Sequence, residues 1–142
     1  MEYVKNRKKL LATIIRNNYT SAGIDFITPA EYSKQVAYMH HQTGKVIDAH
    51  VHNPVHRSIV MTQEVLFIKK GKLRVDFYDD DEQYIESRIL EAGDVILLVS
   101  GGHGFTVIEE VEMIEIQPGP DSGDEDKKRV PGIGDNEVIY GE

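Results

Sequence analysis

From about residue 35 to residue 117 the apolar positions come in short β-prone runs separated by turn residues. Punctuation at every eight to twelve positions or so is the pattern of a sandwich or barrel. Leu73, Val75 and Phe77 alternate with Lys72, Arg74 and Asp76, so one face of that strand meets a core and the other is polar. Residues 65–68, the Lys69-Lys70-Gly71 step and residues 73–78 read as a hairpin. Residues 79–83 form an acidic turn, with a solvated hairpin tip favoured over a calcium loop because the spacing matches no known calcium-binding loop. Residues 84–90 make the next strand, residues 91–94 a tight turn, and the apolar run 95–99 a strand buried on both faces. Residues 105–108 and 111–116 are the last strands.

The flanks differ from this core. Residues 8–16 suit either a short helix or an outer strand. Thr28, Pro29 and Glu31 occupy the N-cap, first and third positions of a short helix. Pro118, Gly119 and Pro120 end the sheet, and a polar stretch closes on Val138, Ile139 and Tyr140. That stretch reads as an extended tail along the domain or a partner subunit, or as disorder. Three segments result: a 1–34 extension with a short helix, a 35–117 β domain and a 118–142 tail.

The chain has 142 residues, a formal charge of −8 and no cysteine. One domain with a real core suits that length. The missing thiols exclude disulfide frameworks, iron–sulfur clusters and cysteine nucleophiles, and restrict any metal site to His, Asp and Glu. Residues 1–16 carry five basic side chains against one acid, residues 17–120 eight against sixteen, and residues 121–142 three against seven. The acidic body argues against a nucleic-acid partner. No apolar run approaches the ~18 residues of a membrane span, and residues 10–15 lack the features of a signal peptide, so no membrane role and a cytoplasmic location are expected.

Five of the six histidines fall between positions 40 and 56; the sixth, His103, stands in a glycine-rich loop. On a strand His50 and His52 would point the same way and could converge on one ion. Glu64 has the parity of Leu66 and Ile68, which places it on the inward face of its strand. His40 and His41 read as a strand end near solvent, and the methionines as packing.

The arrangement resembles the two-part signature of the cupin superfamily. Gly44, five residues, His50, one residue and His52 are followed by Glu64, six residues and Gly71; then Gly93, an apolar strand, a glycine turn and His103. In the family three or four residues separate the His pair from the Glu; here eleven do, so a loop containing Asn53, Pro54 and His56 is inserted. Val99 stands where the second motif has a turn proline, and Val107 where an asparagine is usual. The resemblance covers about residues 35–117 and implies an all-β fold, a double-stranded β-helix or jelly-roll barrel. It also implies a ligand set of His50, His52, Glu64 and His103 for a divalent transition metal: Fe, Mn, Ni or Zn. A homodimer exchanging edge strands is the expected assembly.

The resemblance implies a metal-dependent isomerase or dioxygenase acting on a small polar metabolite such as a sugar, nucleotide-sugar or keto acid. His56, Arg57 and Tyr38 are candidate substrate contacts, with Lys72 and Arg74 as further cations for an anionic substrate. A metal-free sugar epimerase, which pairs a His with a Tyr, and a non-catalytic binding or sensing module are the alternatives. Fold alone does not choose among them.

Overall fold

The computed structural model describes residues 1–123 and 125–142. Two compact units emerge, one of residues 1–19 with 62–142 and one of residues 20–61. No α-helix occurs among the described residues, and no helix is long and apolar enough to cross a membrane.

The larger unit is one curled antiparallel sheet forming a half-barrel. β1 (Glu2–Asn6) and β2 (Lys9–Ile15) make a hairpin, so residues 8–16 resolve as strand. β2 continues onto β7 (Val95–Leu98), and β7 onto the first part of β5 (Glu64–Tyr78). The second part of β5 pairs with β6 (Tyr84–Glu91), while β8 (Gly102–Ile116) runs along nearly all of β5.

β5 corrects the hairpin expected at residues 65–78. The chain passes straight through Gly71 as one 15-residue strand. Gly71 has φ 85°, and its register against β8 shifts between Ile68 and Lys70, Lys70 and Lys72, and Lys72 and Leu73. It marks a bend: a Cβ there would lie 1.9 Å from the Glu110 carbonyl oxygen. Bulges increase local twist and bend the strand that carries them. This one lets a single strand serve β7 before the bend and β6 after it. The last two expected strands likewise fuse into β8.

The bend also changes which parity faces inward. Before it Glu64, Leu66 and Ile68 are buried; after it Leu73, Val75 and Phe77 join Val4, Leu11, Ala12, Ile14, Leu90, Ile96 and Leu98 in the core. Alternation along 73–77 thus gives the core face as read from the sequence. On the opposite face Lys72 meets solvent but Arg74 and Asp76 do not, being only 4% and 5% exposed.

Polar clasps hold the margins. Asp79 closes the acidic hairpin tip, its Oδ1 accepting from the Asp81 and Gln83 amides at 3.0 and 2.9 Å. Arg16 donates twice to Glu2, at 2.7 and 2.9 Å, and once to buried Asp94 at 2.9 Å. The chain's last residues lie along β6: Ser87 donates to the Ile139 carbonyl at 2.7 Å and Gly141 to the Ser87 carbonyl at 3.1 Å. Residues 139–141 therefore add to the β6 edge, protecting otherwise open backbone groups. Arg88 gathers Glu2, Glu86 and the Glu142 carbonyl oxygen around one guanidinium.

The smaller unit contains the two-stranded ribbon β3 (Gly23–Phe26) and β4 (Ala37–His40). The helix expected at Thr28 is absent. Pro29 to Tyr32 makes a single turn, with the Tyr32 amide donating to the Pro29 carbonyl at 3.1 Å. The Thr28 hydroxyl, free of a capping role, accepts the Val36 amide at 2.9 Å across the ribbon loop. Residues 45–60 contain no strand.

Candidate functional site

β5 and β8 converge where β5 ends and β8 begins. Phe77 pairs with His103 and Tyr78 with Gly102. Gly102 packs closely on Tyr78, where a Cβ would approach the Tyr78 Cβ to 3.2 Å. Gly101, at φ 72°, turns the chain so tightly that a Cβ would lie 2.3 Å from the Tyr78 carbonyl oxygen. The glycine-rich loop is thus the means by which His103 and Tyr78 reach one place.

His103 Nε2 lies 3.1 Å from Glu64 Oε2, although 38 residues separate them in sequence. Glu64 sits at the start of β5 with 8% of its surface exposed. The His103 contact holds its carboxyl below the ordinary value, against the opposing effect of burial; Lys127 adds to the lowering. The Phe105 ring lies 5.3 Å from His103, centroid to centroid, tilted by 35°.

Glu64, His103 and Tyr78 line a cavity of about 690 Å³. Asp76, Thr106 and tail residues 126–130, 132 and 133 complete its wall. Burial pushes the Tyr78 phenol up, helped by the neighbouring Asp76 carboxylate, so it remains a proton donor at neutral pH. Asp76 itself is engaged by Arg74 Nε at 2.8 Å and Nη2 at 3.2 Å and by the Ser87 hydroxyl. Arg74 also reaches Thr106 at 3.1 Å and Asp135 at 2.8 Å. Hydrogen bonds with Asp135 and then Asp76 raise its pKa further, so it is a permanent buried cation rather than the open substrate contact expected. Lys72 stands at the surface between Glu91 and Glu109, at 3.4 and 3.2 Å.

Of the four implied ligands, the structure brings together Glu64 and His103. His50 and His52 belong to the smaller unit and lie in its strandless segment, not on the strand that spacing suggested. Their rings still meet edge to face, centroids 5.1 Å apart, with His50 Nδ1 3.1 Å from the Asp48 carbonyl oxygen. His56 and Arg57 are exposed in that segment, and Tyr38 is half-buried on β4 opposite Asp25.

Sequence reasoning did not single out Tyr78, Asp76, Thr106 or the tail. One signal was available for Tyr78: it ends the alternating strand whose partner begins with the glycines around His103. No known protein family, curated protein or solved structure matches this chain.

Proposed function

We propose that the chain is a cupin-like enzyme of a small polar metabolite, working by proton transfer inside the β5–β8 cavity. The observation that carries this reading is the 3.1 Å approach of His103 to Glu64 at the wall of a cavity that also contains Tyr78. A carboxylate on one imidazole nitrogen fixes the ring and stabilises the imidazolium formed when the ring takes a proton. His103 acts as the base, Glu64 as its orienting partner, and Tyr78 as a neutral acid whose proton burial retains. Such a set suits epimerisation or isomerisation next to a carbonyl. In the metal-free epimerase alternative, Tyr78 thus takes the place first considered for Tyr38.

A second reading keeps the divalent metal. Two cis ligands of an octahedral ion bound at about 2.0–2.2 Å stand roughly 3 Å apart, close to the 3.1 Å between Glu64 and His103. His50 and His52, in the smaller unit, form an imidazole pair of their own. Among the described residues no three such groups gather in metal-holding geometry.

The test is solvent-deuterium incorporation with a panel of sugar phosphates, nucleotide-sugars and keto acids. Proton exchange beside the carbonyl, abolished in His103→Gln and slowed in Tyr78→Phe, supports the first reading. Binding without exchange, lost in His103→Gln, assigns a non-catalytic module instead. Metal analysis of protein purified without added metal decides the second reading: near-stoichiometric metal lost in both His50→Ala and Glu64→Ala supports it, and metal kept in both removes it. We further propose a homodimer through β8, an edge strand exposing Val107, Ile108 and Ile114. Light scattering showing a monomer at micromolar concentration would refute that assembly.

A further inference from the structure

We propose that residues 126–133 are a hinged wall of the cavity, released at the Lys128 end while the chain beyond Asp135 stays fixed to the sheet. The two ends of this segment are held very differently. At the front, Lys128 pairs with Glu82 at the surface, their side chains 79% and 36% exposed. Thr62 donates to Asp126 at 3.1 Å, also in the open. Exposed ion pairs contribute little and are screened by salt.

The rear hold is of another kind. Asp135, itself exposed, accepts from buried Arg74, whose other bonds go to Asp76 and Thr106 on β5 and β8, and the firm part of the hold is backbone. Four residues on, the Ile139 amide donates to the Tyr84 hydroxyl at 2.9 Å, and its carbonyl accepts from the Ser87 amide. Gly141 adds a second bond to Ser87. Backbone bonds to a core strand open far less often than a surface clasp.

Between the holds the segment has no helix or strand, yet it covers the groups with chemistry to perform. Lys127 and Ile133 line the same cavity as Glu64 and Tyr78. Lifting the wall at Lys128 opens the cavity that Glu64, Tyr78 and His103 line. Closing it covers them again. Ligand entry is therefore gated by this segment, whose fixed end is the backbone pairing of Ile139 and Gly141 with Ser87. This goes beyond the proposed reaction and depends only on the cavity's geometry.

The test is hydrogen exchange, followed by mass spectrometry, on the full chain without ligand. Amides of residues 127–133 should exchange faster than those of Ile139 and Gly141. Lys128→Glu should speed exchange at 127–133 about two- to fivefold, the range a surface pair supports, and leave 139–141 unchanged. The swap Glu82→Lys with Lys128→Glu should restore the parental rate. Unaltered exchange at 127–133 in Lys128→Glu would overturn the proposal. So would 127–133 and 139–141 accelerating together, or a swap that fails to restore the rate.

Discussion

Arg74 is a point where this fold is sensitive to a single substitution, because its guanidinium is buried and so is its partner Asp76. Arg74→Met keeps much of the side chain's length and apolar stem while deleting the charge. Asp76, 5% exposed, would then keep the Ser87 hydroxyl but lose both guanidinium bonds. Breaking a buried pair from one side leaves an uncompensated charge and costs about 3–5 kcal/mol. Asp135 contributes little to this figure, since its side chain is 90% exposed and water replaces its partner. Domains have about 5–15 kcal/mol in total, so the loss is a large part of the whole. Urea denaturation followed by far-UV circular dichroism measures it. With a slope near 2 kcal/mol per molar, the midpoint should fall by about 1.5–2.5 M. Arg74→Met with Asp76→Leu should recover most of that, because removing both charges removes the desolvation problem. A single variant within about 1 kcal/mol of the parent would refute the reasoning, as would a double variant no better than the single one.

Three further outcomes follow from other parts of the molecule. The Glu64 carboxyl is held below its ordinary value, so its contribution is complete above that value and fades as pH falls through the lowered one. Glu64→Gln should therefore flatten the acid limb of a stability–pH curve, and an unchanged limb would deny the link. Gly71→Ala should cost well over 1 kcal/mol, since φ 85° and the Glu110 carbonyl both oppose a Cβ; a urea midpoint equal to the parent's would show that the bend can relax. Leu66→Ala, at a side chain with no exposed surface, should cost about 2–5 kcal/mol in the same assay.

What the sequence made legible was mostly local. Alternation at 73–77 marks the core face, the parity of Glu64 with Leu66 marks its inward position, and Asp79 marks a hairpin tip. Errors came where a local pattern has two physical outcomes. A positive-φ glycine suits a hairpin turn or a bend within a long strand, and only the presence of β8 alongside decides for Gly71. Thr28 suits a helix cap or a loop brace, and the distant Val36 amide decides for the brace. Arg74 looked like a surface residue because what buries it includes Asp135, 61 positions later. Tyr78 went unnoticed for the same reason: its role depends on the neighbours that β8 and the tail bring to it.

Arg88 has one more consequence. By holding Glu2 and the Glu142 carbonyl together, it brings residues 2 and 142 to one corner of the sheet. The order in which the strands are connected is then separable from the sheet they build. A few residues joining Glu142 to Met1, with new ends cut into the exposed tip at Asp80 and Asp81, would give a circular permutant in which every strand pair survives intact. In that chain β6 would be made first and the 15-residue β5 last. The molecule thus offers a direct way to ask whether its longest strand has to be synthesised before the partners that curl around it.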